Sequence, residues 1–258
     1  MREVLEQLSR GEITVDEAAS QLAVSGIAAL DDFARLDIGR HGRKGIPEVV
    51  YAPGKSVEQL LGICGSLLEH SGRAILSGID NGQLHAVDQA FGDKVAVAVE
   101  EAGCLVLREP GHDPGPTGGR IGILSAGTAD IRVAEQARVI AEEMGCEVIK
   151  AYDVGVAGVH RLLEPLRQMV EARAGALVVA AGMEGALPSV VAGLVPVPVI
   201  GLPTSTGYGF GGDGVAALMS MLQSCCPGLV AVNIDNGVGA GATAALIANN
   251  AATVNAPR

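Results

Sequence analysis

In the second half of the chain, short apolar runs alternate with longer stretches that have the apolar periodicity of helices. The runs lie at residues 121–125, 147–151, 176–181, 197–202 and 229–234, and the helical stretches at 129–145, 158–173, 185–194, 213–223 and 239–250. Strands that alternate with helices build a parallel sheet that helices cover on both faces. The alternation therefore predicts an α/β fold whose C-terminal domain has three layers and a five-stranded parallel sheet.

The composition fits such a sheet. Aromatic residues make up 2 % of the chain and tryptophan is absent, whereas glycine occurs 36 times. A core without large rings must consist of Ala, Val, Leu and Ile with close glycine contacts. Sheets that helices cover on both faces have this aliphatic composition.

The N-terminal part has a mixed pattern, which predicts a small α+β domain. Thr14 and Glu17 have the spacing of a capping box, and Ser56 precedes a second clear helix. The segment 111–119 is rich in Gly and Pro and is interpreted as a linker. We therefore expect domains at 1–117 and 118–258. The predicted helices are 2–9, 14–23 and 56–70, and the predicted strands are 47–52, 73–78, 95–99 and 104–108.

Charge and cysteine content exclude several classes of protein. The net charge of −11 argues against nucleic acid and anionic membranes as partners. The first residues carry both charge signs, which does not fit a secretory signal, and the apolar stretch 187–203 is interrupted by prolines. Five cysteines without C-x-x-C spacing indicate neither a disulfide framework nor a zinc site. We expect a soluble, cytoplasmic protein.

Polar residues follow all five predicted strands of the C-terminal domain. Ligands of open α/β sheets bind beyond the carboxyl ends of the strands. Ser, Thr, Asp and Asn at single positions are explained equally well as helix caps. Their recurrence at five ends favours a ligand site. The residues are Ser125–Asp130, then Tyr152, Asp153 and His160, then Gly182–Glu184, Thr204–Gly209, and finally Asn233, Asp235 and Asn236.

Two other features carry weaker signals. The segment 207–214 is rich in glycine and opens a helix, which is typical of phosphate binding, but it lacks the G-x-G-x-x-G spacing of a dinucleotide site. No P-loop motif is present. Cys225 and Cys226 follow the fourth helix of the domain; a free cysteine is usually a buried small hydrophobe, and the alternative is a nucleophile.

Long motifs give the chain a family resemblance. Residues 125–131, 180–188, 198–205, 222–228 and 233–237 resemble the aminoimidazole ribonucleotide carboxylase/mutase fold of purine biosynthesis. The whole chain more closely resembles the nickel-pincer cofactor biosynthesis protein B family, the pyridinium-3,5-biscarboxylic acid mononucleotide synthases. That family's N-terminal pattern appears here as Asp37, Arg40 and residues 43–55.

One departure separates the two families. The purine enzymes carry a catalytic histidine in an Ala-His-Leu-Pro element, where this chain has Ala186, and Glu184 lies two residues upstream. The synthases carry a reactive thiol in a Ser-Cys-Ala-Pro-Gly element. The resemblance places this thiol at Cys225, with Cys226 at the alanine position.

The resemblance implies a reaction and a set of roles. The substrate is nicotinic acid adenine dinucleotide, which is carboxylated at ring carbon 5 with CO2 or bicarbonate and cleaved to release AMP. Cys225 is the expected nucleophile and Glu184 the expected base, with Asp130 as second candidate. The residues expected to bind the substrate are Ser125, Gly127, Thr128, His160, Met183, Thr204, Ser205, Asn233 and Asp235.

We also expect Mg²⁺, with Asp130 or Asp235 as possible ligands although no spacing singles out a ligand set, and a homo-octamer, as in the related purine enzymes. Anhydride cleavage without a P-loop suggests this metal, because it prefers carboxylate and phosphate oxygens. Two other functions stay open: a purine-type carboxylase or mutase, which Ala186 disfavours, and a non-catalytic nucleotide sensor, which the cysteine disfavours.

Overall fold

A computed structural model of the protein describes residues 2–18 and 26–255 and divides the chain into two compact units. The first unit comprises the chain up to Ala98 together with Leu105–His112, and the second comprises Val99–Cys104 and the chain from Asp113 onward. None of the helices in the described ranges has the length and apolarity that crossing a membrane requires.

The first unit combines a four-stranded sheet with helices. The sheet order is β3-β4-β6-β5, and β3 and β4 run parallel. A short antiparallel hairpin, β1-β2, lies apart from this sheet. The elements are α1 (Arg2–Ser9), β1 (Ala28–Leu30), β2 (Ala34–Leu36), α2 (Arg40–Lys44), β3 (Val49–Tyr51), α3 (Val57–Ser71), β4 (Arg73–Ser77), α4 (Asn81–Phe91), β5 (Val95–Val99) and β6 (Cys104–Arg108).

Local caps explain where the helices of this unit begin. The Ser56 hydroxyl accepts a hydrogen bond from the Gln59 amide, and the Gln59 side chain accepts one from the Ser56 amide, which forms the capping box of α3. The predicted box of Thr14 and Glu17 is also present. The helix predicted at 14–23 is seen over residues 15–18, and the rest lies outside the described residues.

The second unit contains the predicted five-stranded parallel sheet. Its five strands are all parallel and lie in the order β11-β10-β9-β7-β8. The elements are β7 (Arg120–Ser125), α5 (Ile131–Glu143), β8 (Glu147–Ala151), α6 (His160–Glu171), β9 (Ala176–Ala181), α7 (Leu187–Ala192), β10 (Val199–Pro203), α8 (Val215–Leu222), β11 (Leu229–Ala231) and α9 (Gly237–Asn255).

The last strand differs most from its prediction. We predicted it to extend to residue 234, but β11 ends at Ala231. The chain turns there because the Asn236 amide donates to the Asn233 carbonyl and Asp235 takes a left-handed conformation with φ 56°. This turn brings Asp235 to the end of β10, where its amide donates to the Pro203 carbonyl.

Small residues let helix α9 pack directly on helix α5. A Cβ atom at Gly237 would lie 2.5 Å from the Val133 carbonyl oxygen, and one at Gly241 would lie 2.3 Å from that of Ala137. The two glycines are four residues apart and therefore share one face of α9. No aromatic residue is found among the buried hydrophobic residues that the structure describes. Backbone proximity thus takes the place of large interlocking side chains in this core.

We predict that Gly241→Ala destabilises the protein. Alanine is the better helix former by about 1 kcal/mol, but its Cβ would overlap the Ala137 backbone, and overpacking costs about 1–3 kcal/mol. The free energy of unfolding in urea should therefore fall. Gly65→Ala in α3 is the matched control, because the nearest atom to its Cβ, on Phe91, is 4.0 Å away. Its stability should be unchanged or higher, and the same loss in both variants would contradict the proposed packing.

Candidate functional site

A pocket of about 430 Å³ opens at the carboxyl end of the five-stranded sheet. It lies where the strand order reverses, because β8 and β9 flank β7 on opposite sides. At such a point the loops after neighbouring strands diverge and leave a crevice for a ligand. The lining residues come from the ends of four strands: Ala126–Asp130, Asp153, Gly155–Ala157, Arg161, Ala181–Glu184, Ala186, Leu187 and Thr206.

The carboxylate of Asp130 joins two of these loops. One oxygen accepts a hydrogen bond of 2.9 Å from the Gly127 amide, and the other accepts one of 2.5 Å from the Thr204 hydroxyl. Asp130 is 3 % exposed and Thr204 is fully buried. Asp130 therefore connects the loop after β7 to the end of β10, and both of its oxygens are already engaged.

The loop after β9 presents Glu184 to the pocket. Met183 lies in the left-handed region with φ 51°, which is unusual for a long side chain, and its amide donates to the Thr206 carbonyl at 2.8 Å. Gly185, with φ 62°, packs against the Ala217 backbone. Glu184 between them is exposed and has no hydrogen bond or ion pair within the described residues. Its carboxylate is free to act on a ligand.

The pocket also contains a cation that the sequence analysis missed. Arg161 in the first turn of α6 lines the pocket and forms an ion pair of 2.6 Å with Asp153. Among the lining residues that the structure describes, it is the only basic side chain. His160, which we predicted to contact substrate, is exposed and does not line the pocket. One sequence signal pointed to Arg161. His160 is the first residue of α6, and its neighbour Arg161 therefore lies on a different side of the helix.

Four other predicted residues shape the loops without lining the described pocket. The Ser125 hydroxyl accepts a hydrogen bond of 3.2 Å from the Asp153 amide. Asp235 accepts one of 2.9 Å from the Ser205 amide, and the Asn233 side chain accepts one from the amide of the next residue. The first contact joins the ends of β7 and β8, and the second joins the loops after β10 and β11.

Tyr152 belongs to a separate polar network on α5 and β8. Its hydroxyl donates to Glu135, which also accepts a hydrogen bond of 2.7 Å from Arg138. Burial by itself would raise the pKa of Glu135, but the hydrogen bonds from Tyr152 and Arg138 outweigh it and lower that pKa. Burial, reinforced by the Glu135 carboxylate, raises the pKa of Tyr152. Its phenol therefore acts as a structural donor.

The two neighbouring cysteines lie at the other end of the sheet. Cys226 begins a turn in which its carbonyl accepts a hydrogen bond from the Leu229 amide, and Leu229 pairs with Val199 at the start of β10. From there to the carboxyl edge, β10 spans roughly 13 Å. Cys225 is exposed, whereas the Cys226 thiol donates to the Ser189 carbonyl at 3.3 Å. Within one chain, Cys225 is not among the residues that line the pocket with Glu184.

The other three thiols are buried. Burial raises the pKa of Cys64 to about 12 and that of Cys146 to about 11. Thiols of this kind are unreactive at neutral pH.

The N-terminal motif forms an ion-pair cluster in the first unit. Asp37 accepts a hydrogen bond of 2.7 Å from Arg43 and lies 3.5 Å from Arg40, which also contacts Glu48 at 3.1 Å. The Arg43 hydrogen bond holds the pKa of Asp37 below its usual range. These contacts tie α2 to the chain on either side of it.

The donor set does not fit a magnesium site made of protein alone. Residues 2–18 and 26–255 contain no group of three His, Cys, Asp or Glu side chains arranged to hold a metal. The two expected ligands, Asp130 and Asp235, already accept backbone hydrogen bonds. Magnesium keeps several waters and is often held by one or two carboxylates plus substrate phosphates. The carboxylates of the described residues therefore do not form a magnesium site without substrate phosphates.

Comparison with known proteins separates the chain into two matched regions. The AIR carboxylase family matches residues 120–257, and the LarB/PurE-like N-terminal domain matches residues 27–109. An uncharacterized protein of Methanocaldococcus jannaschii is 40 % identical over 254 residues, which is 96 % of each chain.

Two enzymes resemble the second half only. The N5-carboxyaminoimidazole ribonucleotide mutase of Methanocaldococcus jannaschii is 33 % identical over 127 residues, which is 49 % of this chain and 74 % of the mutase. The mutase of the same name from Thermotoga maritima is 30 % identical over 132 residues, which is 50 % of this chain and 74 % of the mutase.

We predict that Thr204→Val destabilises the site. The substitution preserves shape but removes the hydroxyl that donates to Asp130, and a buried acceptor left without its donor costs about 1–3 kcal/mol. The free energy of unfolding in urea should fall by that amount. Thr204→Ser retains the hydroxyl and should lose less. Equal stability of the wild type and Thr204→Val would show that this hydrogen bond does not hold the loops.

Proposed function

This chain belongs to the AIR carboxylase family, and from that membership we propose that it carboxylates nicotinic acid adenine dinucleotide at carbon 5 of the pyridinium ring. It also hydrolyses the phosphoanhydride, so the products are pyridinium-3,5-biscarboxylic acid mononucleotide and AMP. This is the first step of nickel-pincer cofactor synthesis for lactate racemase-type enzymes. The observation that carries the proposal is the pocket wall, which presents the unpaired carboxylate of Glu184 beside Ala186, where the purine enzymes have histidine.

The ring chemistry explains why a thiol is needed. A pyridinium ring is electron-poor and does not attack CO2. When the Cys225 thiolate adds to the ring, a C–S bond forms and a ring electron pair moves to the nitrogen, which becomes neutral. Carbon 5 of this dihydropyridine is the carbon of an enamine and attacks CO2 to form the new C–C bond. Covalent catalysis thus divides one difficult step into easier ones.

The second half of the reaction needs a base. A carboxylate removes the proton at carbon 5, the electron pair of that C–H bond restores the aromatic ring, and the C–S bond breaks to release the thiolate. Glu184 suits this role because its carboxylate is exposed in the pocket and has no partner within the described residues. Asp130 is less suited, since both of its oxygens accept hydrogen bonds.

The pocket offers a place for the phosphate of the pyridinium half. Thr128 lies in the turn that leads into α5, and amides at the start of a helix bind phosphate oxygens, whereas the Gly127 amide already donates to Asp130. Arg161 lines the same pocket and adds a positive charge, at the expense of its pair with Asp153. If magnesium takes part, the substrate's phosphates bring it to this place.

Cys225 does not line the pocket of its own chain, so a second copy of the chain would have to supply the thiol. We propose that the Cys225 of one copy reaches the pocket of another within a homo-octamer. Cys225 is exposed and has exposed apolar neighbours, with Met219 65 %, Leu222 69 % and Val230 54 % exposed. Grouped exposed apolar side chains of this kind mark protein contact surfaces. A site shared between copies would place both groups on one ring.

The main alternative is a purine-type carboxylase or mutase, which the similarity of the second half favours. Ala186 cannot carry the proton that histidine carries in those enzymes. The two functions are separated by supplying each substrate to the same preparation.

We predict that the protein, incubated with nicotinic acid adenine dinucleotide and bicarbonate, forms AMP and a mononucleotide heavier by one CO2, detected by mass spectrometry. Cys225→Ser should abolish carboxylation, because a hydroxyl does not supply a comparable anion near neutral pH. Cys226→Ala should retain most activity, because its thiol only donates to the Ser189 carbonyl. Full activity of both variants would refute thiol catalysis, and the reverse pattern would transfer the role to Cys226.

We further predict that two inactive variants restore each other. Cys225→Ser and Glu184→Gln chains carrying different tags should be co-expressed and purified through both tags. In mixed assemblies, about one quarter of shared sites receive the intact glutamate from one chain and the intact cysteine from another. Carboxylation should therefore return to about that fraction of wild type. No recovery in verified mixed assemblies would show that each site draws on a single chain.

A further inference from the structure

Two aromatic side chains are exposed to solvent in the loop that follows β10. The chain has three Tyr and three Phe, and two of these six lie in the loop of residues 205–214, which joins β10 to α8. Tyr208 is 82 % exposed and Phe210 is fully exposed. We call residues 205–214 the aromatic loop. Two of the few aromatic side chains in this chain are therefore exposed to solvent. Burying them would stabilise the fold, so their exposure calls for another explanation.

Both ends of the aromatic loop are anchored near the carboxyl end of β10. At its start, the Ser205 amide donates to Asp235, and the Thr206 carbonyl accepts the Met183 amide. At its end, Gly214 lies so close to Thr204 that a Cβ there would be 2.8 Å from the Thr204 carbonyl oxygen. The rings therefore project from a segment whose two ends are fixed near the end of β10.

The loop also reaches the pocket wall. Thr206 lines the pocket, and a Cβ at Gly207 would lie 3.6 Å from the amide nitrogen of Met183, which lines it too. Tyr208 follows directly. The next residue of the wall is Glu184, the proposed base, so the aromatic loop begins on the side of the pocket that carries this carboxylate.

Glycines surround both rings, at positions 207, 209, 211 and 212. Gly209 has φ 77°, and nothing lies within 4 Å of a Cβ built on it. Glycine lets the backbone adopt such conformations at little cost, so the rings can adjust their planes to a ligand. What an aromatic face recognises best is another planar ring or a cation.

We propose that Tyr208 and Phe210 bind the pyridinium ring of the substrate by stacking on it. The inference rests on the proposed function, which supplies a ligand that is both planar and cationic. The negative face of an aromatic ring attracts such a cation, and the attraction grows as water is excluded. The aromatic loop would thus select the charged ring and hold it beside Glu184, and its contribution should appear in KM and leave kcat nearly unchanged.

The absence of tryptophan makes a direct test possible. Phe210→Trp keeps a ring and introduces an indole whose fluorescence has no background. A pyridinium cation quenches an excited indole on contact by accepting an electron. Titration with nicotinic acid mononucleotide, which has the pyridinium ring but no adenine, should give saturable quenching. Tyr51→Trp is the control, since Tyr51 is 66 % exposed in the first unit and its indole should show only linear, collisional quenching.

Paired variants separate stacking from general hydrophobicity. The double variant Tyr208→Leu, Phe210→Leu keeps apolar side chains but removes both rings, and KM for the dinucleotide should rise about tenfold. The ring-exchanged variant Tyr208→Phe, Phe210→Tyr should keep KM within about twofold. Light scattering on the same samples should show one assembly size. Loss of assembly in the leucine variant would overturn the proposal, because it would make the loop a contact between copies.

Other outcomes distinguish the two proposals. Linear quenching in Phe210→Trp while the enzyme still carboxylates the dinucleotide would overturn the role of the rings and leave the function intact. Saturable quenching by AMP and not by the mononucleotide would also overturn it, because the loop would then hold adenine. Saturable quenching by the mononucleotide without carboxylation by the wild type would support the ring contact and refute the reaction.

Discussion

The buried carboxylate of Asp130 holds together the loops between which the pocket opens. A parallel sheet that reverses its strand order leaves a crevice, but the crevice has a defined shape only if the diverging loops are fixed. Asp130 does this by accepting hydrogen bonds from the Gly127 amide and the Thr204 hydroxyl at once. The end of β10 then anchors the aromatic loop through Ser205, and the Thr206 carbonyl holds the loop that carries Glu184. One carboxylate therefore determines where the proposed base and the rings lie.

The sequence was sufficient for the second unit because its signals are long and regular. Each apolar run became a strand, and each end that carried polar residues lies at one edge of the sheet. The first unit was predicted less completely: the hairpin β1-β2 has three residues in each strand, which is too short for a periodic pattern. Helix α4 was also missed, although Asp80 and Gln83 cap it in the same way as Ser56 and Gln59 cap α3.

The sequence predicted where the site lies more completely than it predicted the hydrogen bonds and orientation of its side chains. The approach of Gly127, Thr128, Asp130, Met183 and Glu184 to one pocket followed from their positions after parallel strands. The sequence could not show which polar side chains form hydrogen bonds within the loops instead of facing a ligand, as Ser125 and Asp235 do. Nor could it show that Arg161 and not His160 lines the pocket, because the orientation of the first turn of α6 depends on tertiary packing.

The separation of the exposed thiol from the pocket affects what a single, unassembled chain can catalyse. A newly made chain carries the proposed base, Glu184, in the pocket and the proposed nucleophile, Cys225, away from that pocket. If the copies supply each other, catalytic capacity appears only on assembly and is lost on dilution, so turnover per chain depends on concentration as binding equilibria do. Synthesis of more protein would then increase activity more steeply than in proportion. Assembly itself would be the activating event, with no modification or effector required.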